Sequence, residues 1–489
     1  MKRFLLLSRV VLLIWIVMPT AQAQYEEDAA LRYSTPGLGV GARALGMGTA
    51  YTGVANDFSA VYWNPAGLGQ MRLNEVSLGL SNLSFGNTST LLSNQQSFTN
   101  SSTSFNSFGL VYPIPTARGS MVIAIGYDRQ ADYTTGLSFR AYNPQSSIVQ
   151  AWAPNGQSLT PDPTIAEDLL LAYADTITGK FVSPINGRLT QIGMVLESGG
   201  QNNITVSGAV EAAKNFYVGA SLNFITGSHS YVSKYSENDL SNKYNSSTLA
   251  TYNNGQSTSV FDLNYLTFDE TMEHDISGFS AKLGILYKFA SGTRLGLAVK
   301  TPSWITVNQT YSPLATSTFD NGDQFTFPSG DYVPQKTDYD ITTPFIFSAG
   351  ISHPFGDLLL AGDVEYTDWT QIEFSNADAR LLGYNTDIKT LFRPTANLRG
   401  GAEYEFSNAG VRLRGGFVYL PSPFNGDPSS FAQKYITGGL GFIVEDAFAI
   451  DIGYAHGFWK TYQINLDGVS RTDEDISTSN LIGTVTYRF

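Results

Sequence analysis

Cysteine is absent from all 489 residues, so no disulfide can brace the fold and its stability must come from hydrogen bonding and packing. Histidine occurs four times, at His229, His274, His353 and His456. His229, in "GSHSY", has no partner histidine at metal-ligand spacing, so the sequence points to no metal site. Charged residues are only 15%, against about 25% in an ordinary soluble domain. The formal charge is −13 and basic runs are missing, which argues against nucleic acid as a partner. No phosphate-binding loop or other cofactor motif occurs, so no cofactor is expected. Beyond the first residues no stretch approaches the eighteen or so apolar residues that a transmembrane helix requires.

What the chain does contain begins with an address. Lys2, Arg3 and Arg9 flank the apolar run Val10 to Met18, and Ala21-Gln22-Ala23 forms a small-x-small site. Residues 1–23 therefore read as a secretory signal peptide. From residue 73 onward apolar and polar residues alternate. In "FSAKLGILYKF" Ala281, Leu283, Ile285 and Tyr287 oppose Ser280, Lys282, Gly284 and Lys288. "NLRGGAEYEF" and "VRLRGGFVYL" place Arg399, Glu403, Glu405, Arg412 and Arg414 on the minority face, and "NLIGTVTYRF" ends on Phe489. Alternating segments of about ten residues with aromatic ends are the mark of a transmembrane β-barrel, lipid meeting the apolar face and a polar lumen taking the charges.

Turn lengths give the strand number. Short connections fall at 115–119, 212–215, 290–293, 354–357, 407–410 and 445–447. Six hairpins, an opening strand near 75–85 and a closing one at 478–489 predict a 14-stranded antiparallel outer-membrane barrel over residues 73–489. The long connections, 129–202, 227–277 and 302–343 the largest, are expected outside the cell. Parity assigns "LTQIGMVLES" (Leu189 to Ser198) to the first of these loops, because a fifteenth strand would end the chain on the wrong side. In the same loop Thr164 and Glu167 stand at capping-box spacing. Leu169, Leu170, Tyr173 and Ile177 follow as a helical stripe, packed on its own loop or flanking an apolar ligand groove.

Residues 24–72 lack the period of two and are dense in glycine up to "WNPAGL". A fourteen-strand barrel is too wide for its own side chains to fill. Tyr51, Phe58, Trp63 and their neighbours are too apolar for a disordered tail, so this segment is expected as a plug within the lumen. Asn64 accepts amide bonds just after itself while Pro65 presets the turn.

The stretch "GARALGMGTAYTGVANDFSAVYWNPAGL" resembles the N-terminal hatch of the FadL/TodX outer-membrane transporters, with the family's Asn-Pro-Ala motif at Asn64, Pro65 and Ala66. "DVEYTDWTQ", "LRGGAEYEF" and "LRGGFVYLPSPF" extend the resemblance through the barrel. It implies passive outer-membrane transport of long-chain fatty acids or other hydrophobic compounds. Such a molecule would enter at an outer-loop groove, pass to the lumen and leave sideways into outer-membrane lipid as the hatch moves. The same glycine-rich hatch also occurs in PorV-like barrels of type IX protein secretion, which leaves open a scaffold for a surface-protein partner. Candidate partners for a ligand carboxylate are the inward cations Lys282, Arg294, Lys300, Arg399, Arg412 and Arg414, most of them expected in wall ion pairs, with Leu169, Leu170 and Tyr173 as apolar candidates. Hydrolysis would need a base beside a nucleophile. Ser352-His353 adjoins a short turn and His456 follows no serine motif, so no enzyme is expected.

Overall fold

A computed structural model describes residues 29–153, 164–175, 179–244, 248–253, 256–328, 333–445, 447–466 and 468–489. The expected signal peptide and Ile177 lie outside the described residues. Fourteen strands form one closed antiparallel barrel: β1 Glu75–Leu91, β2 Asn94–Ile114, β3 Met121–Asp132, β4 Leu189–Ala213, β5 Phe216–Asn238, β6 Leu263–Lys288, β7 Arg294–Lys300, β8 Ile346–Phe355, β9 Leu358–Asp368, β10 Pro394–Phe406, β11 Val411–Leu420, β12 Gln433–Val444, β13 Phe448–Asn465 and β14 Ser470–Arg488. Each pairs with the next, and β14 returns to β1 from Glu75↔Arg488 to Thr90↔Asp473. Closure leaves no sheet edge to face hydrocarbon. Among the described residues no helix is long and apolar enough to cross a membrane.

The period of two sets the two faces. Leu78, Leu110, Ile123, Leu222, Leu283 and Leu297 point outward and are exposed, as a lipid-facing band requires. Tyr112, Tyr287, Phe355, Phe406, Phe448 and Phe489 ring the end that carries the short turns, where aromatic side chains suit the membrane–water boundary.

The strands run further than their apolar stretches. "LTQIGMVLES" is the outer half of β4, paired with β5 on one side and with the strand Thr135–Asn143 on the other. The assignment of Leu189 to Ser198 to a loop is therefore corrected. No fifteenth crossing results, because the same strand continues to the short turn. β1 and β2 likewise continue to a two-residue turn at Leu92 and Ser93, both with positive φ, the twist a tight hairpin needs.

The helical stripe is a second correction. Only Ile165–Asp168 is helical, with the Thr164–Glu167 capping box formed. Leu170 has φ 54, a left-handed conformation that ends the helix, and Tyr173 opens the short strand Tyr173–Asp175. Leu169 and Leu170 instead pack inside a closed outer core with Ile148, Phe181, Leu266 and Phe319. The helix Ala379–Leu391, capped by Asp378, lies over a separate cluster in which Leu381 and Ile388 meet Tyr33 from the N-terminal segment.

Candidate functional site

Residues 41–72 touch inward-facing groups around the whole circumference. Gly41 N donates to Asn106 on β2, Phe58 N to Glu75 on β1, Ala42 N to Thr484 on β14 and Gly48 N to Thr437 on β12. Ser221 on β5 and Ser352 on β8 donate to the carbonyls of Val61 and Gly53. A single segment can reach all of these strands only from inside the barrel. Its backbone lies so close to the wall that wall glycines are obligatory. A Cβ at Gly401 would stand 2.0 Å from the Met47 carbonyl oxygen, one at Gly453 2.3 Å from that of Ala42, and one at Gly416 2.4 Å from the Gly48 nitrogen.

Asn64 is fully buried and uses every arm of its amide. Its Oδ1 accepts from Ala66 N at 3.1 Å, capping the turn that Pro65 begins. Its Nδ2 donates to the carbonyls of Thr52 (2.9 Å) and of Ile285 on β6 (3.0 Å). Asp363 on β9 takes the amides of Tyr51 and Thr52 at 2.8 and 2.7 Å.

Charge completes the docking. Arg43 forms a two-pronged bond to Glu403 at 2.8 and 2.7 Å, and Glu403 also accepts from Arg414 at 2.6 Å. Arg414 in turn meets Asp451 at 2.7 Å. Burial opposes charge on Arg43, but Glu403 and then Tyr51 more than reverse this and hold the guanidinium well above its ordinary value.

The inward cations separate by their partners. Arg399 pairs with Glu365 at 2.8 Å and lies over the Trp63 ring, while Arg412 pairs with Glu405 at 2.9 Å. Arg294 donates to the Val54 carbonyl, and Lys282 donates to the Tyr62 carbonyl and sits 4.9 Å from the Tyr62 ring centroid. Lys300 is 8% exposed and has no hydrogen bond or ion pair among the described residues. It lines a 30 Å³ cavity with Lys282, Tyr62, Trp63, Asp128 and Glu365, about the room of one water molecule. Leu169 and Leu170 are not among the residues that line it, and the side chain of Tyr173 lies outside the described ones.

Two further spaces flank the segment. Toward the short turns a 440 Å³ chamber is lined by Arg43, Asp57, Glu75, Asp357, Glu405 and Asp451. In the wall, β2 and β3 pair only from Ser107↔Asp128 to Ile114↔Met121, and β3 bulges between Arg129 and Ala131. Beyond this point β2 stays with β1, and a 520 Å³ pocket opens between Ser102 and Ser104 on one side and Arg129 and Asn202 on the other. Ser102 to Asp132 (2.9 Å) and Asn100 to the Thr135 carbonyl (3.1 Å) bridge the divergence.

Reading the sequence missed the partner of Arg43 and the meeting of His229 with His274, because both join residues far apart along the chain. Inward parity was the only available signal for them.

A closed fourteen-strand cylinder with an apolar outer band is a bacterial outer-membrane protein. The chain belongs to the outer membrane protein transport family (OMPP1/FadL/TodX), whose profile matches residues 40–489. Its members are channels and transporters, not enzymes. No curated protein sequence matches. Among solved structures it is similar to a Pseudomonas aeruginosa FadL homologue, at 13% identity over 93% of this chain and 100% of that one, TM-score 0.57. The P. putida toluene transporter TodX is 13% identical over 92% and 99%, TM-score 0.52, and the monoaromatic hydrocarbon channel CymD 17% identical over 93% and 99%, TM-score 0.50. At these identities the likeness is one of fold.

Proposed function

We propose that this barrel carries elongated hydrophobic molecules with an anionic end, the long-chain fatty acid class, across the outer membrane by passive diffusion. The observation that carries this reading is Lys300, a lysine with no hydrogen bond or ion pair among the described residues, which lines a small cavity beside Lys282 and across from Asp128 and Glu365. A neutral hydrocarbon offers such a group nothing, whereas a carboxylate supplies the missing charge-assisted hydrogen bond. The apolar chain of the ligand then lies against Trp63 and Tyr62 once the small cavity widens. Residues 41–72 act as the hatch, with Asn64, Pro65 and Ala66 as its hinge against β6. The charged chamber beneath disfavours an apolar solute, since each CH₂ held in water costs about 0.8 kcal/mol. The divergence of β2 and β3, which begins past Ser107↔Asp128 at the outer rim of the lipid band, offers instead a sideways exit to outer-membrane lipid at that rim. No nucleotide-binding motif is present in the sequence to drive the process.

The test is Lys300→Met in proteoliposomes with radiolabelled oleate and radiolabelled toluene. Losing a charge-assisted hydrogen bond worth about 1.5–3 kcal/mol should weaken oleate uptake roughly 10- to 100-fold at low concentration and leave toluene flux unchanged. Equal effects on both, or none on oleate, would refute the assignment of an anionic end.

A further inference from the structure

Where the N-terminal residues 29–40 meet the outer wall, two histidines stand face to face. His229 on β5 and His274 on β6 are direct partners in the strand register. Their rings stack with centroids 5.3 Å apart and Nδ1 atoms 3.1 Å apart. Outward positions have left the lipid band at this height: on β5, Val218, Leu222 and Phe224 give way to Thr226 and Ser228 before His229 is reached. The pair lies within the barrel beyond the membrane.

Every side of the pair is occupied. Tyr33 places its hydroxyl 2.5 Å from His274 Nδ1, and its ring meets both imidazoles edge-on. His274 Nε2–H donates to Gln309 at 3.0 Å, and Gln309 also receives the Tyr339 hydroxyl. His229 Nε2–H donates to Glu197 at 3.0 Å, and the same carboxylate oxygen takes Arg32 at 3.0 Å. Tyr133 packs edge-on against His229 from the end of β3. The charged and titratable groups facing the pair are thus Arg32 and Tyr33 from the N-terminal strap, Tyr133, Glu197, and Tyr339 beyond Gln309. On β5, Tyr231 follows two residues after His229.

With Nε2–H committed to Gln309, His274 holds Tyr33 through the lone pair on Nδ1, which exists only in the neutral ring. A proton on Nδ1 removes that acceptor and is donated to the Nδ1 lone pair of His229, 3.1 Å away on the neighbouring wall strand, a bond that forms whether or not the strap is docked. It also adds a positive charge beside His229 and Arg32, which already share the one carboxylate. Burial holds both imidazoles below their ordinary value, and His229 pushes His274 down further.

We propose that the His229–His274 pair is an acid-sensitive catch for the strap of residues 29–40, docked while His274 is neutral and released when it takes a proton. With the strap released, water reaches the pair and His274 titrates near its free value of about 6.5. The released state therefore binds more protons than the docked one. Docking is complete above that pH and weakens about tenfold for each unit below it, until the lower docked value is reached. Release would uncover the upper lumen under the helix Ala379–Leu391. Its consequence for uptake rests on the transport reading, but docking is measurable by itself.

Because the chain has no cysteine, spin labels at Thr35→Cys in the strap and Asn321→Cys in an exposed outer turn report one distance. Pulsed electron paramagnetic resonance on the whole barrel in nanodiscs should give one population at pH 7.5. At pH 5.0 a second should appear, its ratio to the first raised about 30-fold relative to pH 7.5. His274→Gln keeps an acceptor for Tyr33 but cannot titrate, and should abolish the response. A wild-type distance that ignores pH, or an equal response in His274→Gln, overturns the catch. If His274→Gln is already released at pH 7.5, Tyr33→Phe decides. It keeps both imidazoles and must show a larger released fraction that still rises with acid; a pH-independent Tyr33→Phe overturns the proposal. A strap that moves while toluene and oleate flux stay constant leaves the catch standing and counts only against the transport reading.

Discussion

Replacing Asn64 by alanine tests whether the Asn-Pro-Ala turn controls the passage. The side chain satisfies three backbone groups at once: Ala66 N–H and the carbonyls of Thr52 and Ile285. Ile285 is also in the β5–β6 ladder, so its carbonyl is the least dependent of the three. The other two belong to the buried segment and have no water to replace the amide. Leaving both unsatisfied costs about 1–3 kcal/mol each. Taking about 2–4 kcal/mol in total, the equilibrium between a seated and an unseated hatch moves roughly 30- to 700-fold. None of the lost bonds pairs strands, so the barrel should keep its heat-modifiable mobility on gels. The assay is oleate flux in proteoliposomes beside hydrogen exchange of residues 51–68, both of which should rise. A folded Asn64→Ala barrel with wild-type flux and wild-type exchange would show that the motif is a turn and nothing more.

Gly416→Val brings a side chain against the Gly48 backbone, where even a Cβ would stand 2.4 Å from the nitrogen. Overpacking of about 1–3 kcal/mol or more should unseat the segment, and single-channel recording should show a larger ion conductance from an intact barrel. The pair Ser102→Cys and Asp132→Cys replaces a hydrogen bond across the β2–β3 divergence with a closable disulfide. Oxidation should reduce oleate transfer into lipid at least tenfold and reductant should restore it, whereas unchanged transfer would place the exit elsewhere. Uptake by the purified barrel should proceed without any secreted or surface protein. Dependence on such a partner in reconstituted vesicles would favour the scaffold reading.

The barrel was legible because lipid and lumen impose opposite chemistry on alternate residues, and because all six short turns sit where the strands leave the membrane. Above the band that contrast ends on β5, which beyond Thr226 remains a strand with Ser228, Ser230, Ser236 and Asn238 on its outer face, so polarity read it as loop. β4 from Leu189 keeps its alternation, with Ile192, Met194 and Leu196 outward, and was set aside only by the count of strands. The turn at Leu92 and Ser93 carries positive φ without the glycine or asparagine that usually announces it. The helix Ala379–Leu391 did carry a signal, Asp378 as cap with Leu381, Tyr384 and Ile388 on one face, but it lies in a long connection between strands, where the period of two gives no guide. The inward cations were identifiable by parity, but which of them lacked a partner was not. Arg399 and Lys300 look alike in the sequence; Glu365 pairs with Arg399, whereas toward Lys300 it only lines the same cavity. Wall glycines, too, read only as weak strand residues until the segment that fills their notches was seen.

Those notches bear on the mechanics of the cylinder. An empty fourteen-strand tube can be flattened by the lateral pressure of the membrane, because neighbouring strands flex about their hydrogen-bonded seams. Here contacts run outward from one filling to β1 at Glu75, β6 at Ile285, β9 at Asp363 and β12 at Thr437, like the spokes of a wheel. The rim can become oval only if a spoke lets go, so its roundness and the seating of the segment are one property. A shift in membrane tension or thickness is then felt at Asn64, and a loosened Asn64 is felt as a softer wall.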